Sequence, residues 1–310
     1  MTNNEMIRIK RACEYTMLNY DGVHAVSIGY KRIGGVCTNV LAIIVHTIQK
    51  KPMRKVPLSQ RIPPFREGIP TDVVESLPLR ILPLVTKETE TSLKDNDEKY
   101  RPVPGGAEIY IPRESGNGGV CTLGMFARSR KAGDPFSDIY LLTNAHCLLE
   151  TGRQVRQPFS QSEEDAIAYS SRIVRSDLID GGIAKMISAS DADPYEILGI
   201  GAPLGTYDVS IDDIGKSVIK TGRTTGTTTG TIDYVDVTLL DIREQIIIGA
   251  EVPFASPGDS GSVVLMQSED HSHHVIGLLW GGVFNYAVIS PIQAVMDELE
   301  IDLITQNTMR

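Results

Sequence analysis

No stretch of about 18 consecutive apolar residues runs through this chain, so no membrane-spanning helix is expected. Residues Met1 to Glu14 have neither a long apolar core nor a small-residue cleavage site, and do not read as a secretory leader. Cysteine is sparse: Cys13, Cys37, Cys121 and Cys147, which without a leader are expected as free thiols in a reducing, cytoplasmic setting. Positive charge falls short of negative, 30 Lys and Arg against 39 Asp and Glu, and the net −9 argues against general nucleic-acid binding. Gly222–Gly230 has glycines but no lysine where a phosphate-cradling loop needs one, so no nucleotide is expected. The polar stretch with His271, His273 and His274 reads as a solvated hairpin loop rather than a zinc site. No metal or organic cofactor is expected, and His24 and His46, inside strand candidates, read as structural.

What is present points to a folded, turn-rich chain. Hydrophobic residues make up 41% and charged residues 22%, a globular balance, and 28 Gly with 17 Pro suit an all-β unit. The 310 residues allow two or three core-forming units. Charge is unevenly divided: residues 1–83 carry 12 Lys and Arg against 6 Asp and Glu, and the rest 18 against 33. Either this is solvated surface charge, or the basic segment meets an acidic partner.

Met6, Ile9, Cys13 and Met17 have helical spacing after Asn3 or Asn4 as N-cap. Strands are predicted at Val23–Tyr30 and Val40–Ile48, joined by a hairpin through Gly34-Gly35, the second buried on both faces. Lys50–Pro70 is predicted irregular and Val73–Leu82 a last strand, giving a small α+β module over 1–85. Residues 86–104 are densely charged and poor in apolar side chains, and read as a linker. From 105 onward short strand candidates alternate with turn residues, a mainly β pattern, until Ile292, Val295, Met296, Leu299 and Leu303 mark a closing helix over 291–303.

Three residues carry chemistry. Ser260 lies in Ser256-Pro257-Gly258-Asp259-Ser260-Gly261. A serine hydroxyl needs a base to take its proton and donors to hold the oxyanion, and Gly258 leaves the backbone free to turn its N–H inward beside that of Ser260. His146, which an apolar strand delivers to a polar turn in Leu141-Leu142-Thr143-Asn144-Ala145-His146-Cys147, is the candidate base. An imidazole used this way needs a carboxylate to hold its tautomer. Asp180, in Leu178-Ile179-Asp180-Gly181-Gly182, is the favoured candidate, with Asp177 and then Asp138 as more polar competitors.

The order His, Asp, Ser and the motifs around the outer two resemble the chymotrypsin-like serine peptidases of bacterial type. Cys121-Thr122-Leu123-Gly124, Lys220-Thr221-Gly222-Arg223-Thr224-Thr225-Gly226 and Gly277-Leu278-Leu279-Trp280-Gly281-Gly282 resemble further segments of that family. The resemblance covers about residue 105 to the end. It implies two six-stranded β-barrels, about 105–205 and 212–290, a triad of His146, Asp180 and Ser260, and an oxyanion hole from Gly258 and Ser260. A peptide substrate would pair with the strand after Leu279, near Trp280 and Gly281. Phe254, where Arg- or Lys-selective members carry an acid, implies a pocket not suited to a basic side chain. The implied activity is serine endopeptidase, with a latent or peptide-binding protease-fold protein as the alternative.

Three departures from the family pattern stand out. Members activated by cleavage pair a new N-terminal amine with the Asp before the nucleophile. No such terminus is evident here, so Asp259 has another partner, or none until something binds; cleavage after Arg113 is less favoured than an exposed loop. Extracellular members of the family bridge the cysteine after the histidine to one on the preceding strand, and Cys121 and Cys147 occupy similar places, whereas a cytoplasmic setting would keep this pair reduced. Residues 1–85, with Gly29-Tyr30-Lys31 and Gly68-Ile69-Pro70-Thr71-Asp72, resemble a module that precedes such domains in some bacterial proteins, expected to recruit substrate or restrain the protease.

Overall fold

A computed structural model describes residues 2–85, 96–113, 118–160, 162–239, 241–268 and 272–308. Most of the charged linker (86–95), Glu114 beyond Arg113, and His271 lie outside the described residues.

Helix α1 (Asn3–Leu18) starts from Thr2, not from Asn3 or Asn4. The Thr2 hydroxyl accepts the Glu5 N–H at 3.2 Å and the Glu5 carboxylate accepts the Thr2 N–H at 2.9 Å, so two N–H groups that a bare helix end would leave unpaired are satisfied at once. Strands β1 (Val23–Ile33) and β2 (Val36–Thr47) form the expected hairpin, with Gly34 and Gly35 both at positive φ. Residues Ala42 to Thr47 are buried, as the continuous apolar run predicts. After two short 3-10 turns come β3 (Phe65–Arg66) and β4 (Ile69–Glu75). The single strand expected over Val73–Leu82 is broken: β4 runs parallel to β2 and stops at Glu75, and a separate β5 (Arg80–Ile81) follows Pro78, which has no N–H for a ladder.

The next strands are β6 (Val103–Gly105), β7 (Glu108–Ile111), β8 (Gly119–Thr122), β9 (Met125–Ser129) and β10 (Tyr140–Thr143). A single helical turn, α2 (Ala145–Leu148), precedes β11 (Gln154–Arg156), β12 (Ala166–Arg175), β13 (Asp180–Met186) and β14 (Ala192–Ile197). Then come β15 (Gly205–Thr206), β16 (Ser217–Gly222), β17 (Gly226–Leu239), β18 (Gln245–Gly249) and β19 (Val263–Gln267). The chain closes with β20 (His273–Val283), β21 (Tyr286–Pro291), α3 (Ile292–Glu298) and β22 (Ile301–Leu303).

Strands β16-β19-β20-β21-β18-β17 form a ring that closes through β16–β17, a six-stranded barrel. The other unit runs β22-β9-β10-β13-β12-β11-β7-β8 and does not close on itself among the described residues, so the first barrel implied by the resemblance is a half-barrel. Its two ends are occupied otherwise: β22 covers the edge of β9, and Val85 bridges to Val120 of β8. The fold is mainly β, a closed barrel beside a half-barrel, with apolar cores inside the barrel, inside the half-barrel and between them under α3.

The 1–85 strands continue the barrel's own sheet. β1 pairs antiparallel with β17, from Ala25 opposite Leu239 to Gly29 opposite Tyr234, and β2, β4 and β3 follow outward. Helix α1 is tied to β17 through a buried cluster in which Lys10 reaches Glu14 (2.5 Å), Thr238 (2.8 Å) and Asp236 (3.3 Å). The closing helix is shorter than expected. It ends at Glu298, Glu300 takes φ +49°, and Ile301 and Leu303 alternate into the core as β22. Among the described residues no helix is long and apolar enough to cross a membrane.

Candidate active site

β10 delivers His146. Its last residue, Thr143, lies opposite Gly182 of β13, and the Asn144 side-chain amide donates to the Asp180 carbonyl at 2.7 Å, so the turn is seated on the strand that starts with Asp180. The Asp180 carboxylate is bidentate toward His146: Oδ1 accepts the backbone N–H at 3.0 Å and Oδ2 pairs with ring Nδ1 at 2.8 Å. With Nδ1 turned to the carboxylate, Nε2 is left for chemistry. Burial alone would raise the Asp180 carboxyl; the His146 ring and backbone bonds, with Arg175 nearby, outweigh it and hold the group below its ordinary range. Asp177 pairs instead with Arg243 at 2.8 Å and Asp138 with Lys185 at 2.6 Å.

Ser260 comes from the turn before β19. Its carbonyl accepts the Thr122 N–H at 2.9 Å and lies 3.9 Å from Cys147 Sγ, which puts the serine beside the residue after His146. Ser260 Oγ and His146 Nε2 are both buried, and neither has a hydrogen-bond partner among the described residues. Gly258 has φ +98°, and a Cβ there would sit 2.4 Å from Thr224 Oγ1, so glycine is required twice over. The Gly258 carbonyl accepts the Thr122 hydroxyl at 2.9 Å and the Pro257 carbonyl accepts the Thr224 hydroxyl at 2.7 Å. Among the described residues the N–H groups of Gly258 and Ser260 donate to nothing.

Asp259 has internal partners. Its carboxylate accepts the N–H groups of Thr224 (2.8 Å), Thr225 (3.2 Å) and Ser256 (2.8 Å) and the Thr225 hydroxyl (2.8 Å), with the buried Lys220 ammonium 3.7 Å away. These threonines and Lys220 belong to a segment quoted above for its resemblance, but nothing in their spacing told which would hold the loop. A buried Arg223–Glu108 pair, 2.5 Å apart, was also missed, because its partners are 115 residues apart in sequence.

Of the expected substrate contacts, Leu279 exchanges backbone bonds with Gly261 and Ser262, Trp280 donates its indole N–H to Gln245 at 2.8 Å, and Gly281 is buried in β20 with Val288 of β21 on one side and Ile81 of β5 on the other. Phe254 is not brought to the cleft. It is fully buried in the barrel core, its carbonyl held by the Thr228 hydroxyl, because an apolar ring gains more there than on a wetted wall.

Cys121 and Cys147, expected as thiols, are joined in a disulfide: β8 and α2 bring their Cα atoms to 6.2 Å, within bridging range. Cys13 and Cys37 are free. The two bonded sulfurs and His146 are near enough to suggest a metal site, but disulfide sulfurs are not thiolate ligands.

Comparison with known proteins gives partial likenesses. Residues 204–306 match the family model described as the Nal1 C-terminal domain. A rice protein (Oryza sativa subsp. japonica), Protein NARROW LEAF 1, is 27% identical over 139 residues, 38% of this chain. That stretch spans 23% of the rice protein's length. Among solved structures, Thermobifida fusca Protease A is 20% identical with a TM-score of 0.47, over 66% of this chain and 98% of that one. A glutamic acid specific serine protease is 18% identical with a TM-score of 0.49, over 65% of this chain and all of its own.

Proposed function

We propose that this protein is a serine endopeptidase in which Ser260, His146 and Asp180 act as a triad. The observation that carries the reading is the His146–Asp180 pair: one carboxylate fixes both the backbone and the ring of the histidine, and leaves Nε2 buried without a partner beside a Gly-Asp-Ser-Gly turn. Catalytic hydrogen bonds in free enzymes are often unmade and tighten on substrate binding, so a Ser260 Oγ not yet bonded to Nε2 fits this role.

In the reaction, Ser260 Oγ bonds to the scissile carbonyl carbon as its proton moves to His146 Nε2. The oxyanion takes the N–H groups of Gly258 and Ser260. His146 returns the proton to the leaving amine as the C–N bond breaks, and water repeats the sequence on the acyl-enzyme to release the acid. Asp180 keeps the imidazole oriented and balances its charge.

Fluorophosphonate labelling of the purified protein, read by mass spectrometry, tests this. The expected result is one adduct, at Ser260, absent in Ser260→Ala. Asp180→Asn should cut turnover by about 10⁴-fold, because the amide favours the wrong tautomer. A folded sample that is neither labelled nor able to hydrolyse peptides overturns the reading and favours a binding-only protein.

The basic 1–83 segment pairs several of its charges internally, Lys10 and Arg11 with Asp236 and Lys51 with Asp21, while Arg54 and Lys55 stand exposed. An acidic partner or protein substrate for it belongs to the same proposal.

A further inference from the structure

The segment between β4 and the linker does not stay with the 1–85 strands; it crosses the cleft. At its start β5 pairs antiparallel with β20, Ile81 opposite Gly281 and Arg80 opposite Gly282, and the Leu82 N–H donates to the Trp280 carbonyl at 3.3 Å. The approach is close enough that a Cβ on Gly281 would lie 2.6 Å from the Arg80 carbonyl oxygen. Four residues after Ile81 the chain has reached the other unit. Val85 bridges antiparallel to Val120, whose N–H donates to the Val85 carbonyl at 3.0 Å, and packs on Tyr110 and Val120. Leu84 lies against Gly119, and the Val85 side chain reaches 3.3 Å from the Cβ position of Gly258 on the oxyanion loop. Leu82 and Val85 are buried, whereas Ile81 is half exposed.

We propose that residues Leu79–Val85 form a self-inhibitory strap that occupies the peptide-binding groove of the peptidase described above. The proposal rests on the reading that the strand after Leu279 takes substrate. An extended peptide binds such a sheet edge through main-chain hydrogen bonds with alternate side chains seated in pockets. The strap already does so at both walls of the groove. It is anchored by its apolar Leu82 and Val85, and Pro83 between them has no N–H to extend the ladder. Because the strap belongs to the same chain, its local concentration exceeds that of a dissolved peptide, and any substrate must displace it. The strap thus competes with peptides in the resting protein, and a substrate gains the groove when the segment lifts from β20 and Val120.

The test uses the full chain, once with active Ser260 and once with Ser260→Ala. A fluorescein-labelled peptide of the strap's own sequence, Leu-Arg-Ile-Leu-Pro-Leu-Val, is titrated into the Ser260→Ala protein with the strap intact or carrying Leu82→Ser and Val85→Ser. The strap-altered protein should bind at least about tenfold more tightly, and with Ser260 present its kcat/KM on peptides should rise by a similar factor. Equal affinity with and without the strap substitutions overturns the proposal, whatever the activity. Tighter binding with no hydrolysis by the active-serine version leaves the strap in place and removes the peptidase reading. Should the double substitution unfold the chain by circular dichroism, Ile81→Pro, at a half-exposed side chain, replaces it with the same expected outcomes.

Discussion

Lys220 and Asp259, the latter directly before the proposed nucleophile, face one another 3.7 Å apart and are both fully buried. A buried charge pair is held only when its remaining hydrogen-bonding capacity is filled, and here it is. Lys220 donates to the Gly226 carbonyl at 3.0 Å and to the Thr225 hydroxyl, and Asp259 collects three backbone N–H groups. The partner of Asp259 that the sequence left open is thus supplied inside the barrel, with Lys220 among the groups around it. Lys220→Met should leave Asp259 uncompensated and cost about 3 to 5 kcal/mol of stability, with a loss of fluorophosphonate labelling at Ser260. Chemical denaturation together with labelling rate checks both effects; unchanged labelling would show that the loop is held without the lysine.

His46 gives a pH signature of its own, outside the proposed triad. It is fully buried, bonded through Nε2 to Ser27 Oγ at 2.8 Å, and burial, with His24 and Arg32 nearby, lowers its imidazole to about 3 from an ordinary 6.5. Between those values the unfolded chain binds a proton that the folded chain refuses, so stability rises with pH across the window and falls as pH drops through it. From about pH 7.5 to about pH 5 the loss should be about 2 kcal/mol, and His46→Asn should flatten it. Denaturant titrations of both proteins at the two pH values make the comparison.

The N-terminal helix is fastened, not appended. Lys10→Met strands Glu14, and in part Asp236, inside the α1–β17 contact, and should destabilise the whole protein by about 3 to 5 kcal/mol. A single cooperative transition, shifted as a unit, is expected in calorimetry. An early transition confined to the first 85 residues would show that they fold apart from the barrel.

By itself the sequence determined what is local. Apolar runs and paired glycines set the β1–β2 hairpin, and alternating short strands marked the mainly β architecture after residue 105. The small and turning residues around Ser260, His146 and Asp180 marked the positions where the chain brings reactive groups to turns. These features depend on neighbours a few residues apart, and such neighbours are written consecutively. Local spacing misled where a longer contact outweighed it: the closing helix stops at Glu298 because Ile301 and Leu303 gain more by pairing with β9, and Phe254 goes to the barrel core. Only the tertiary structure decided that β1 continues the barrel's sheet through β17, that Cys121 and Cys147 are bonded, that Lys220 meets Asp259, and that Leu79–Val85 lies across the cleft. Each joins residues brought together by packing over tens to hundreds of positions, and no periodicity along a single chain records which distant edge, thiol or charge will be opposite.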